Sequence, residues 1–288
     1  MKANRPSRTA QFVTHGRALA DVGLSHVPDF HDPTARVFLD DKRKRRLAKL
    51  EKAFHEGKRK MGIEMARTMA DMMALRTTAI DTAVREAIVA GATQLVILGA
   101  GYDGRAWRMR ELAGLKVFEV DHPATQGTKR ARAGELPKPI GTVTYVPINF
   151  ERESLDSALN RAGHDPSSPT CWIWEGVVMY LDRDAMRSTL KDIAARSARG
   201  SILIVNYHEP HRRILAQLIF RLIGEPHVSA WTPQEMADDL RSVGFVVRED
   251  SSVIDWSKRF AKGPTRVERG SYMRIAVARK SMLGYFTP

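Results

Sequence analysis

The chain has 288 residues, 43% of them hydrophobic and 27% charged, enough apolar material for a packed core and unlike the hydrophobic-poor compositions that stay disordered. A single cysteine, Cys171, excludes an intramolecular disulfide framework and a cysteine-rich zinc site, and no run of 18 residues is free of charge. The expected protein is therefore cytoplasmic, with no membrane span and no implied metal. Its net charge is +13, and residues 1–76 hold 17 Lys and Arg against 9 Asp and Glu, including the runs 42–46 and 58–60. Such an excess suits an anionic partner, but these runs lack interleaved aromatics and read as solvated helix faces, which makes nucleic acid an unexpected partner.

In chain order, residues 1–92 read as a helical cap. Residues 1–6 are expected to fray, Ser7 to cap a helix reaching about Ala20, and 34–53 and 57–74 to form further helices. In the last of these, Met61, Met65, Met69, Met72 and Met73 recur at spacings of three and four and share one face. That face either packs in the core or lines an adaptable apolar pocket.

From residue 93 the period changes to short apolar runs bounded by turn residues: 94–98, 117–120, 143–146, 171–174 and 202–205. Helical patterns lie between them at about 103–113, 123–133, 151–162 and 182–198. After a further helix at 232–242, the runs 244–249 and 272–278 read as strands joined by a long basic loop with no clear helix. The predicted fold is α/β: a doubly wound, Rossmann-like, mostly parallel seven-stranded sheet with a C-terminal antiparallel hairpin. Residues 93–288 form this domain, the 1–92 cap adds to it, and the two make one compact unit.

Ligands of such sheets sit outside the carboxyl ends of the strands. After the first strand comes Leu98-Gly99-Ala100-Gly101-Tyr102-Asp103-Gly104, whose glycines allow a tight turn and a close ligand, either a dinucleotide or an adenosine compound. Asp121 ends the second strand, twenty positions beyond Gly101, where a carboxylate can accept from two ribose hydroxyls; the lesser alternative is a cap on the helix before Pro123. Asn149 and Phe150 follow the third strand and suit an adenine edge and ring. Glu175 follows the fourth, and Asn206, Tyr207 and His208 stand at the end of the fifth. Trp172 and Trp174 alternate with the strand period and read as core, and Cys171 as a small buried hydrophobe.

Several of these segments, in this order and spacing, resemble the leucine carboxyl methyltransferase-like branch of the class I S-adenosylmethionine-dependent methyltransferases, which includes bacterial polyketide carboxyl O-methyltransferases. They are Arg76-Thr77 with Asp81, Leu98–Gly101 followed by Asp103 and Arg105, Phe118–Pro123, and Glu175-Gly176 with Tyr180-Leu181. The resemblance runs from about Pro6 to Tyr207. It implies S-adenosyl-L-methionine as cofactor, with Arg76 on the methionyl carboxylate, Gly99 and Gly101 against the cofactor backbone, and Asp121 on the ribose. Asn149 and Phe150 would then meet adenine, and Glu175 the methionyl amine. Arg76 and Glu175 could otherwise be taken up by ion pairs within the protein. Asn149 stands where the family usually has aspartate, and Gly104 where it often has threonine; the glycine implies either a more mobile loop or room for a bulkier ligand.

The expected activity is O-methyl transfer to a small molecule. A carboxylate acceptor is ionised at neutral pH and needs no base, whereas a phenol would use one, with His208 and Tyr180 as candidates. A nicotinamide oxidoreductase is the alternative on the glycine motif alone, and a nucleic-acid methyltransferase or regulator the alternative on charge.

Overall fold

The computed structural model describes residues 8–58, 61–149, 153–210, 228–267 and 272–281. Four helices come first: α1 (Arg8–Leu19), α2 (Pro33–Phe38), α3 (Asp41–His55) and α4 (Met61–Val89). The proposed cap at Ser7 and the frayed start lie outside the described residues. The helix expected over 34–53 is two helices, because Leu39 is extended and the Asp40 side chain caps α3 by accepting from the Arg43 N–H at 2.8 Å. The helix expected over 57–74 is much longer. It runs to Val89 because its buried face continues through Ala74, Thr77, Ile80, Asp81 and Val84.

Strand and helix then alternate. β1 (Gln94–Leu98), α5 (Arg105–Arg108), β2 (Lys116–Asp121), α6 (Pro123–Ala133), β3 (Thr142–Pro147) and α7 (Leu155–Arg161) are followed by β4 (Thr170–Trp174), α8 (Arg183–Ala195) and β5 (Ile202–His208). The chain continues through α9 (Pro233–Ser242), β6 (Phe245–Ser252), α10 (Val253–Phe260) and β7 (Met273–Lys280). The last loop is a correction. It carries α10, whose start is fixed by a capping box in which Ser252 bonds the Asp255 N–H and Asp255 returns to the Ser252 N–H. The helix expected over 103–113 is also shorter, a single α-turn followed by a 3-10 turn at Arg110–Leu112.

The seven strands lie in the order β3-β2-β1-β4-β5-β7-β6. β1 pairs in parallel with β2 and β4, and β7 runs antiparallel between β5 and β6. This inserted strand separates the sheet from the all-parallel 3-2-1-4-5-6 order of dinucleotide-binding domains. Strand order reverses between β1 and β4, so a crevice opens beyond Leu98 and Trp174.

Strand alternation divides the core. Leu95, Ile97, Cys171, Ile173 and Ile204 face one layer, which also holds Ala70, Ala74, Ile80 and Val84 of α4 and Leu19 of α1. Val96, Leu98, Trp172, Trp174 and Val205 face the other, against Leu159 of α7 and Leu190 of α8. The cap helices therefore share a core with the sheet. Trp172 is fully buried, as is Cys171, whose thiol burial pushes up to about 12. No described helix is long and apolar enough to cross a membrane.

Candidate active site

The loop after β1 is shaped by two glycines with positive φ, Gly99 at 65° and Gly101 at 50°. An added Cβ at Gly99 would lie 2.3 Å from Val177 Cγ2, so the position excludes a side chain on space as well as on backbone angle. The Gly101 N–H donates to Asp121 Oδ2 at 2.5 Å, and the His122 N–H donates to Asp121 Oδ1 at 2.6 Å. Asp121 is thus tied to the glycine loop and does not cap α6; His122 does, accepting from the Ala124 N–H at 3.3 Å. Burial pushes the Asp121 carboxyl up while these two bonds oppose the shift.

Across the crevice, Arg76 Nε lies 2.8 Å from Glu175 Oε1, and Arg105 donates to Glu175 Oε2 at 3.0 Å. The ion-pair alternative raised for both Arg76 and Glu175 is realised, with each other. Arg105 is 1% exposed and serves two further carboxylates, Asp81 at 2.8 Å and Asp103. The lattice extends through Arg108, 2.5 Å from Asp81, to Asp32, which pairs with Arg17 at 3.0 Å. Four arginines and four carboxylates are thereby neutralised in a buried layer. Arg105 holds Asp103 down to about 2, and the two arginines beside Glu175 keep it below its ordinary value against the opposing effect of burial.

Gly104 has a different meaning from either one expected. An added Cβ there would lie 1.8 Å from Thr34 Oγ1, so α2 fills the space that a side chain would take. The loop is buttressed there, with no room for a ligand. Arg17 is another anchor that the sequence did not single out: its guanidinium donates to the Tyr102 carbonyl at 2.6 Å, pinning α1 to the glycine loop. A buried arginine near a helix end, facing a loop 85 residues away, leaves no local signature.

Asn149 lies just past β3, half-buried, and Phe150 lies outside the described residues. Tyr180 ends a 3-10 turn at Val178–Tyr180, half-buried. His208 is the last residue of β5, 6% exposed, with its ring edge-on to Tyr272 at 4.8 Å. Asn206, beside it, accepts from the Gly176 N–H at 3.3 Å and donates to the Arg274 carbonyl at 2.9 Å, which fixes the turn after Glu175. The methionine face divides along its length: Met73 is buried, Met69 and Met72 are half-buried, and Met65 and Met61 are exposed.

The crevice therefore presents a glycine loop, a strand-end carboxylate, and an opposed arginine and carboxylate. These fit S-adenosylmethionine. The loop admits close backbone contact, Asp121 stands at a strand end where a carboxylate could accept from ribose hydroxyls, and the Arg76–Glu175 pair matches the two charges of an α-amino acid.

Residues 10–194 match the leucine carboxyl methyltransferase family. A Mycobacterium avium protein, provisionally named an S-adenosyl-L-methionine-dependent methyltransferase, is 34% identical over 71% of this chain and 67% of its own length. A Mycolicibacterium vanbaalenii protein of the same provisional name is 41% identical over 50% of this chain and 47% of its own. The chain spans about half the length of several curated relatives that it matches. Among solved structures, a DUF574 family protein of Streptomyces avermitilis has a TM-score of 0.59 at 13% identity, covering 96% of this chain and 99% of the other. A protein of Thermobifida fusca, provisionally a methyltransferase, has a TM-score of 0.58 at 17% identity, covering 97% and 96%. These two show a shared fold.

Proposed function

The chain belongs to the leucine carboxyl methyltransferase family, and on that premise we propose that it methylates an oxygen of a small apolar acceptor, a carboxylate in the first place and otherwise a phenol, using S-adenosylmethionine. The observation that carries the reading is the Arg76–Glu175 pair, 2.8 Å apart and facing the Gly101–Asp121 contact across the strand-end crevice. When bound, the cofactor would supply a sulfonium methyl group open to in-line attack by an acceptor oxygen at its carbon, with the thioether sulfur leaving and keeping the carbon–sulfur electron pair.

The residues then have these tasks. Arg76 would hold the cofactor's carboxylate and Glu175 its ammonium, the two charges now paired with each other at 2.8 Å. Because Arg105 stays on Glu175 Oε2, that carboxylate keeps its place and its charge during the exchange. Asp121, held by two N–H donors, accepts from the ribose. A carboxylate acceptor attacks as the anion and releases no proton. A phenol gives up a proton, for which His208 and Tyr180 are the candidate acceptors.

Titration calorimetry tests the cofactor: S-adenosylhomocysteine binds, NAD and NADP do not, and Arg76→Ala and Asp121→Ala each weaken binding by about 1–3 kcal/mol with native far-UV spectra. Incubation with labelled S-adenosylmethionine and a metabolite extract tests the acceptor. Label released by mild alkali identifies a methyl ester and resistant label an aryl ether, whereas label on nitrogen, carbon or RNA refutes oxygen transfer.

A further inference from the structure

We propose that the groove between α1 and α4 is the acceptor's binding site and takes an unbranched apolar tail; this rests on the methyl-transfer reading above and specifies its acceptor as a linear aliphatic acid. The groove is lined by Phe12 of α1 and by Met65, Thr68, Met69, Met72 and Met73 of α4. Thr68 is its single polar lining residue, so it offers a tail almost nothing to hydrogen-bond. Phe12 is 50% exposed and Met65 64% exposed, which leaves apolar surface uncovered beside a site that needs a substrate.

Helical geometry ties this groove to the crevice. At 3.6 residues per turn, Met65, Met69 and Met72 fall within about 40° of Arg76 around α4, so all four side chains start from one stripe. Met72 is one turn from Arg76, and Met65 is about 16 Å away along the axis. The other wall is the face of α1 that carries Phe12 and, one turn on, Gly16. α1 and α4 are held closely together at one side, where Gly16 abuts Met73.

Size and chemistry select the occupant. The groove's volume is about 190 Å³, below the roughly 300–1,000 Å³ of sites that enclose a whole small molecule. It therefore takes one slender part of an acceptor. Methionine's unbranched, polarizable side chain adapts to a flexible chain. A tail in the groove leaves the acid's polar head at the Arg76 end, where the carboxylate oxygen attacks the methyl carbon, the carbon–sulfur bond breaks, and a methyl ester and S-adenosylhomocysteine result without proton transfer.

The test is a series of straight-chain saturated acids from butanoate to hexadecanoate, assayed for methyl ester formation, with dodecanoate binding followed by calorimetry in the presence of S-adenosylhomocysteine. Specificity, kcat/KM, is expected to rise with length and level off once the tail passes Met65. Met69→Trp fills the groove, so it should move the optimum to shorter acids and weaken dodecanoate binding about tenfold or more, with S-adenosylhomocysteine affinity unchanged. Met72→Trp should shorten the optimum further. Equal length profiles for the native protein and Met69→Trp, or a preference for rigid aromatic acids that ignores both variants, would overturn the groove assignment and leave oxygen methylation standing. Burial of the groove in a dimer that Met65→Arg dissociates, without dodecanoate binding, would overturn it too. Failure to bind S-adenosylhomocysteine would instead bring down the methyltransferase reading itself.

Discussion

At the scale of the residue, Arg105 belongs to a segment that carries the family resemblance, but its role as a shared buried cation leaves no signal in the sequence. Fully buried, it serves Asp81, Asp103 and Glu175 together. Arg105→Met leaves those buried carboxylates without their shared cation and is expected to cost about 3–5 kcal/mol at pH 7 by urea unfolding. The loss depends on pH in a definite direction. In the native protein Asp103 is held near 2, so its contribution is complete above the ordinary aspartate pKa and is lost as pH falls toward 2. In the variant Asp81 keeps Arg108 and Glu175 keeps Arg76, but Asp103 loses its nearest cation, so burial is less opposed there and less of its contribution is left to lose in acid. The two stability curves should therefore converge as pH falls from about 4 toward 2, and a constant gap would show that the guanidinium only fills space. Gly104→Ala makes a second residue-scale case. The new methyl group meets Thr34 Oγ1, so a loss of about 1–3 kcal/mol is expected, and Thr34→Ala in the same chain should return part of it. Simple additivity in that double-mutant cycle would dissociate the two positions.

Among the elements, α10 shows why one helix escaped the sequence reading. Its start, Ser252-Val253-Ile254-Asp255, has the spacing of a capping box, but it is only eight residues long and its last turn carries Lys258 and Arg259 within a basic stretch. Short helices are decided by packing more than by propensity, and Val253 and Trp256 are buried in the layer beneath the sheet. Ser252→Ala should cost about 0.5–2 kcal/mol in urea unfolding, with S-adenosylhomocysteine affinity unchanged because the cap is not among the site's residues. A matching loss of affinity would tie α10 to the crevice. α3 and α4 illustrate the converse: the apolar spacing of both was readable, but the break at Asp40 and the run to Val89 depended on which face found a partner.

For the whole molecule, the question is what the charge of +13 does. The row Lys42, Arg45, Arg46 and Lys49 is exposed on one side of α3, opposite Leu47, Leu50 and Phe54, which pack inward. None of the four makes an ion pair among the described residues, whereas the arginines of the crevice are each matched by a carboxylate. Replacing all four by glutamine should leave S-adenosylhomocysteine affinity within about twofold and lower solubility near neutral pH. RNA binding that falls steeply with salt and disappears in this variant would assign the row to nucleic acid.

The sequence by itself determined the sheet and its ligand edge. Short apolar runs between turn residues place each strand, and the glycines at 99 and 101, Asp121 and Glu175 follow strand ends, where period and turn chemistry are local properties. It also singled out Arg76 through the resemblance, although the helix read over 57–74 stopped short of it and the structure extends that helix through Arg76 to Val89. Only tertiary structure decided the rest. That Arg76 pairs with Glu175, that Arg105 and Arg17 brace the site, and that Thr34 occupies the space beside Gly104 are contacts between residues 70 to 99 positions apart. The division of the methionine face was likewise set by which of its residues another segment covers, as Gly16 of α1 abuts the buried Met73. A helical period specifies which side chains share a face, but what covers that face depends on another part of the chain.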